Sequence, residues 1–308
     1  MLSRIAESLF WIGRYVERAD GTARILDVHL ERLNQMPLPQ QRETSRQLLG
    51  VMGSRPEKQD LELSDLLQAL AYDRTSATSI AGALGAAREN ARRARETVSS
   101  SVWESLNTTW YGLTQHRKDV VGTYRFCHWV VERTAMVRGL SDTTMSHDES
   151  WQFLVLGRSL ERADMTARML STHDVHAAGL SWVNMLRCAG AYESFLRTRR
   201  AAFGDQQAAE FLLLDRLFPR SIVYALSDAE KCLTQLNPAY QRVGFINDAS
   251  RIVGQARTFL EFHQTRDLMA ELPEHMDRVQ KACARASDAV SRTYFSQADE
   301  LSWVGEVS

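Results

Sequence analysis

Ten of fourteen residues in one stretch of this chain occur again, in the same order, 144 positions later. The two copies are Gly13-Arg-Tyr-Val-Glu-Arg-Ala-Asp-Gly-Thr-Ala-Arg-Ile-Leu26 and Gly157-Arg-Ser-Leu-Glu-Arg-Ala-Asp-Met-Thr-Ala-Arg-Met-Leu170. A second echo follows at an offset of 142, where Asp73-Arg74, Ser79-Ile80, Ala83-Leu84 and Ala87 match Asp215-Arg216, Ser221-Ile222, Ala225-Leu226 and Ala229. Two matched blocks in one order predict two homologous halves, 1–145 and 146–308, joined as one compact unit, and argue against a short-period solenoid.

The repeated stretch has helical periodicity. Ile12, Tyr15, Val16, Ala19, Ala23, Leu26, Leu30 and Leu33 fall within one arc about 100° wide at 100° per residue, so Leu2 to Leu33 reads as one amphipathic helix. Sixteen glycines and six prolines in 308 residues are well short of the roughly 12% average, so the other elements should also be long. Polar loops are expected at 34–45 and 54–60. Further helices are expected at 61–71, 79–99, 102–113, 118–140, 150–171, 176–203, 206–214, 219–236, 241–270 and 273–297. Gly139 through Glu149 reads as the internal boundary, with Ser146 or Asp148 as an N-cap, and Pro219 and Pro273 sit where helices would begin. No stretch alternates with period two, so the fold class is all-α, a multi-helix bundle of two pseudo-repeat halves.

The repeat preserves its charged face as well as its apolar one. Gly13, Glu17, Asp20, Gly21 and Arg24 lie opposite the apolar arc with Arg14 and Arg18 on its flank. Arg158, Glu161, Arg162, Asp164 and Arg168 recur in the second copy. Within one helix, Glu17, Arg18, Asp20 and Arg24 can form a local network of (i, i+3) and (i, i+4) neighbours. The glycines beside them would let another backbone approach, burying the charges. Two readings follow: a structural ion lattice locking the halves together, or an anion- or peptide-binding pocket between the motif helices. Three arginines against two acids per copy leave one positive charge over.

Composition closes several routes. A formal charge of −1 gives no basic field for a nucleic-acid backbone. Cys127, Cys188, Cys232 and Cys283 stand far apart, which suggests buried reduced thiols. The apolar patch Leu9-Phe10-Trp11-Ile12, with Arg4 and Glu7 before it and Arg14 after, is too short for a signal segment or a span, so a cytoplasmic protein without membrane attachment is expected. There is no Walker-type, Gly-x-Gly-x-x-Gly or Gly-x-Ser-x-Gly motif. His147-Asp148-Glu149 and His173-Asp174-x-His176 carry metal-ligand residue types. They fall at loops or helix ends and no Glu-x-x-His lies on a helix, so no metal and no cofactor is expected.

One further constellation stands out. Arg88, Glu89, Asn90 and Arg92 read as an exposed ion lattice, or as a binding face on which Asn90 meets Trp103, Glu104 and Asn107 from the next helix. Phe126, Trp129, Trp110, Tyr111 and Trp182 read as core.

With these residues in view, the sequence resembles the alpha-E family of bacterial all-helical proteins, named for a Glu-Arg motif. The likeness rests on the opening Leu2-Ser-Arg-Ile-Ala-Glu-Ser-Leu-Phe-Trp-Ile-Gly-Arg-Tyr-Val-Glu-Arg-Ala and on Ala87-Arg-Glu-Asn-Ala-Arg92 with Trp103-Glu-Ser-Leu-Asn107. It continues through Glu161-Arg162 and Asp215-Arg-Leu-Phe-Pro-Arg-Ser221. The family has no assigned reaction. Its members are typically encoded beside a circularly permuted ATP-grasp protein and a transglutaminase-like protein, so the resemblance implies an accessory or scaffold subunit of a peptide ligation or modification system. In that reading Glu17 and Glu161 orient Arg18, Arg24, Arg162 and Arg168 toward an anionic group. The alternatives are a stand-alone enzyme with Glu17 or Glu161 as general base, and an interaction protein whose Glu/Arg network is purely structural.

Overall fold

The computed structural model describes residues 1–54, 58, 60–173, 181–198, 204–237 and 247–295. Asp174 and His176 lie outside them. Among the described residues there are fourteen α-helices and no strand.

Helix α1 spans Ser3–Leu33, about 46 Å at 1.5 Å per residue. Its partner α7 spans Glu149–Ser171 and starts at Asp148, whose carboxylate accepts from the Ser150 (2.9 Å) and Trp151 (3.4 Å) amides. These two helices pack against each other more extensively than any other pair. Around α1, helices α4 (Ile80–Arg93), α5 (Ser100–Gly112) and α6 (Val120–Thr144) close a ring in which α1 touches α4 and α6, and α5 touches both of those. Around α7, helices α11 (Ile222–Leu236), α12 (Asp248–Glu261) and α14 (Leu272–Val290) close another in the same order of contact. Helices α2 (Leu38–Val51), α3 (Leu63–Leu67), α8 (Trp182–Cys188), α9 (Tyr192–Thr198), α10 (Asp205–Leu214) and α13 (Thr265–Ala270) complete the set.

The Asp-Arg…Ser echo proves to be a helix-starting turn. Ser79 and Ser221 N-cap α4 and α11, accepting from the Gly82 (2.9 Å) and Tyr224 (3.0 Å) amides, and each hydroxyl donates back to the carbonyl of Asp73 or Asp215. The aspartates accept the amide two residues on, Thr75 or Leu217, both at 2.8 Å. The helices flanking α1 and α7 are therefore launched by the same local chemistry.

Several expected boundaries move. The loop expected at 34–45 is largely α2, because Pro37 is its N-cap and Pro39 lies in its first turn, where no N–H is required. The boundary expected from Gly139 begins only after Thr144. The polar run stays helical because Ser141, Thr143 and Thr144 hydroxyls bond carbonyls four residues back, at 2.8, 2.6 and 2.6 Å. Pro273 does lie in the first turn of α14, whereas Pro219 precedes the Ser221 cap and sits outside α11. The expected helix over 176–203 is interrupted between α8 and α9 by Gly190 at φ +60. The one over 241–270 breaks between α12 and α13, and the one over 79–99 ends at Arg93. Tyr111 is exposed, unlike the buried Phe126 and Trp182.

All four cysteines are free and buried, and burial pushes their thiols up, Cys232 to about 12. His29, on α1, is buried, and neither ring nitrogen has a hydrogen-bond partner among the described residues. Burial and nearby Arg32 hold its imidazole down at about 4 against an ordinary 6.5. Between those values the unfolded chain binds more protons than the native one, so stability falls as pH drops from 6.5 toward 4, by up to about 3 kcal/mol. His29→Leu is expected to abolish that slope and to be more stable than the parent at pH 5. Urea midpoints across that range check it, and an unchanged slope would assign the acid sensitivity elsewhere.

Candidate functional site

The motif helices touch backbone to backbone at their glycines. A Cβ on Gly13 would lie 2.0 Å from the Leu154 carbonyl oxygen, and one on Gly157 would lie 2.0 Å from that of Phe10. One turn further along, each motif's glutamate is delivered into the other motif. Arg162 grips Glu17 with Nε and Nη2 at 2.8 and 2.9 Å. Arg18 reciprocates on Glu161 with Nε and with Nη2 at 3.0 Å, and Arg14 adds its own Nε.

The local network expected within one helix is thereby corrected. Glu17 pairs with no arginine of its own helix, because its face is turned to α7. The (i, i+4) pairs that do form are Asp20–Arg24 (2.9 Å) and Asp164–Arg168 (2.7 Å). Glu17 thus orients Arg162, Glu161 orients Arg14 and Arg18, and the aspartates orient Arg24 and Arg168. Arg168 also donates to the Val51 carbonyl at the end of α2 at 2.6 Å, beside Gly53 at φ +79. Arg24 lies against Gly190 beyond α8, where an added Cβ would stand 2.9 Å from its Nη1. Both closing arginines therefore sit at helix C-termini, which favour cations.

Two arginines that the motif does not include complete the set around Glu17 and Asp20. Arg220, from the turn before α11, donates to Glu17 (2.9 Å) and Asp20. Arg138 of α6 reaches both at 3.4 Å, and the Thr134 hydroxyl donates to Asp20 at 2.9 Å. Arg220 has no counterpart in the duplication, since Thr78 stands at the matching offset; there the turn offers only the Ala77 carbonyl to Arg18, at 3.4 Å. A search confined to the repeat passes over it.

Burial would raise all three pivotal carboxyls, yet the arginines prevail. Arg162, Arg220 and Arg138 hold Glu17 well below the ordinary carboxylate range. Asp20 lies at about 2 through Arg220, Arg138 and Arg24, and Glu161 at about 2 through Arg14 and Arg18. Carboxylates held so low are weak bases. Asp164 differs: burial raises it and Arg168 only partly offsets that.

The two halves of the seam differ in access. Beside Gly13, Glu17 and Arg138 the free space is about 10 Å³, too little to hold a ligand. Glu161 and Asp164 instead border a cleft of about 310 Å³, lined also by Arg14, Arg18, Arg168 and Met165. Arg14 spends only its Nε. Neither terminal nitrogen has a hydrogen-bond partner among the described residues, and Nη1 is sealed from solvent.

The remaining candidates separate from this seam. Arg158 pairs with Asp142 at 3.1 Å. Arg88 donates to Asn107 at 2.7 Å with its guanidinium 5.6 Å from the Trp103 ring, so Arg88 makes the contact expected of Asn90. The Asn90 amide turns back to the Ala86 carbonyl at 2.8 Å, and Glu89 pairs on the surface with Arg92 and Arg93. Asn90 borders a second cleft, of about 520 Å³, with Arg4, Glu7, Trp11 and Tyr15. The His147 Nε2–H donates to the Asp142 carbonyl (3.0 Å), and the ring stacks on Trp151. No group of three or more metal-ligating side chains forms among the described residues, and none of their helices is long and apolar enough to cross a membrane.

Comparison with known proteins points to the Glu-Arg motif. Residues 1–295 match the family model Alpha-E, described as a predicted alpha-helical domain with a conserved ER motif. Uncharacterized proteins of Mycobacterium bovis and Mycobacterium tuberculosis are 24% identical over 257 residues, which cover 72% of this chain and 28% of theirs. The chain thus spans about a quarter of the length of these relatives. No solved structure matches it.

Proposed function

The chain belongs to the Alpha-E family, and on that premise we propose that it is an accessory or scaffold subunit of an ATP-grasp-dependent peptide ligation or modification system. Its two homologous halves, 1–145 and 146–308, meet at the α1–α7 seam. The circularly permuted ATP-grasp protein is its partner, a transglutaminase-like protein a second one, and the cytoplasm its place of action. The chain's task is to hold an anionic group of the peptide, of a phosphorylated intermediate or of the partner. The observation that carries this reading is the Arg14 guanidinium, nine-tenths buried beside the 310 Å³ cleft with two unused nitrogens. Buried arginine donors are costly to leave unmet. The mycobacterial relatives, in which the matched unit is a minor part of a longer chain, support a unit that works beside others.

The structural-lattice reading is favoured for Glu17 and Asp20 alone, whose four arginines leave no room. The general-base reading gains nothing from carboxylates this acidic. Size-exclusion co-elution with the purified ATP-grasp partner, and peptide ligation assayed with and without this chain, test the proposal. Expected are a stable complex and a loss of ligation without the chain. If Arg18→Ala with Arg162→Ala lowers the melting temperature but leaves complex formation and ligation intact at permissive temperature, the network is structural throughout. Turnover of a peptide by the isolated chain would establish the enzyme instead.

A further inference from the structure

We infer that the cleft at Glu161 and Asp164 is built for a single carboxylate on an aliphatic stem, and not for a phosphate. The inference rests on the anion-binding reading of that cleft and narrows it to one ligand class.

The first argument is charge. Arg14, Arg18 and Arg168 face Glu161 and Asp164, so three positive charges meet two negative ones. One monoanion restores neutrality, while a phosphate dianion leaves a net negative charge beside two carboxylates that are themselves buried, where uncompensated charge is expensive. The second is the supply of donors. Arg18 spends Nε and Nη2 on Glu161 and points Nη1 at the Ala77 carbonyl. Arg168 spends Nε on Asp164 and Nη1 on the Val51 carbonyl, which leaves its Nη2. Together with the solvent-accessible Nη2 of Arg14, this offers one donor to each of two acceptor oxygens, the number a carboxylate carries. The third is shape. Met52 and Met165 form apolar wall beside the guanidiniums, which a methylene stem can cover and a bare phosphate cannot. The other motif has a surplus of arginine too, four against Glu17 and Asp20, but Arg220 and Arg138 fill the corresponding position and the free space beside Glu17 is about 10 Å³.

Glutamyl or aspartyl side chains and peptide C-termini share this chemistry, and calorimetric titration of the full chain separates them. The probes are acetyl-Ala-Glu-amide, acetyl-Ala-Gln with a free carboxylate, the neutral acetyl-Ala-Gln-amide, and inorganic phosphate. At least one carboxylate peptide is expected to bind about tenfold or more tighter than either the neutral peptide or phosphate, and the better of the two identifies the source. Arg14→Gln is expected to weaken that binding about tenfold. Asp164→Asn adds one net positive charge and should raise phosphate affinity by a similar factor, a reversal of preference that a purely structural role would not produce. Phosphate binding more tightly than both carboxylate peptides in the parent overturns the inference and leaves the anion-binding reading standing. Equal binding of the neutral peptide also overturns it. Binding of none of the four removes both.

Discussion

Gly13→Ala is expected to cost the protein as much as any single-methyl addition on its motif helices. The new Cβ would stand 2.0 Å from the Leu154 oxygen and 2.8 Å from the Arg158 nitrogen. Both are backbone atoms of α7, so no rotamer change relieves the clash and the two helices must part. Overpacking ordinarily costs about 1–3 kcal/mol. Here the separation also stretches the Arg162–Glu17 and Arg18–Glu161 pairs one turn away, so the loss should exceed that range. Gly157→Ala meets the Phe10 oxygen in the same way and should match it, and the double variant should fall well short of the sum because either change opens the same seam. Gly139 is the control, since a Cβ there meets nothing within 4 Å. Gly139→Ala should stabilise α6 by up to about 1 kcal/mol through helix propensity. Urea denaturation of the four variants measures all of this, and a Gly13→Ala protein within about 0.5 kcal/mol of its parent would refute the backbone contact.

That contact shows how far the sequence could be read. Glycines on the charged face could be recognised as places for a close neighbour, because nothing else explains small residues in a helix beside paired charges. The identity of the neighbour could not be recognised. Helical spacing relates Glu17 to residues of its own helix, whereas pairing across helices depends on how two faces rotate against each other, and no period in the sequence encodes that. The Asp73 and Asp215 turns were legible as an echo, and their role emerged only when Ser79 and Ser221 were seen capping the helices that flank the seam. Arg138 carries no local signal on a helix that also presents Arg125 and Arg133. The boundary misplaced at Gly139 has a related cause. Gly, Ser and Thr in succession suggest a loop, yet in α6 the hydroxyls satisfy carbonyls of their own helix, and an exposed glycine adds too little cost to end a helix held by its neighbours.

The sharpest difference between the two halves should appear when one glutamate at a time loses its charge. Glu17→Gln keeps the shape of the side chain but leaves Arg162 without its bidentate partner and returns Arg220 and Arg138 to Asp20 alone, in a space of about 10 Å³ that admits no replacement anion. Breaking one partner out of a buried ion set costs about 3–5 kcal/mol, and this variant should fall in that range. Glu161→Gln strips Arg14 and Arg18 equally, but the adjoining cleft lets water or an added anion reach them. Its cost should be smaller and should shrink further in acetate. The pH profiles should separate in step. Glu17, Asp20 and Glu161 all titrate lower in the folded chain than in the unfolded one. Their contribution is complete above the unfolded values, near 4.5 for the glutamates and 3.8 for Asp20, and is lost as pH falls through the folded ones, about 2 for Asp20 and Glu161 and well below the ordinary range for Glu17. Asp164, raised on folding, works in the opposite sense, giving up stability as pH rises and it ionises. Glu17→Gln should therefore flatten the acid limb below pH 4.5 while leaving the His29 limb between 6.5 and 4 untouched. If both glutamine variants cost the same and neither responds to acetate, the second motif is as closed as the first, and the cleft has no anion to receive.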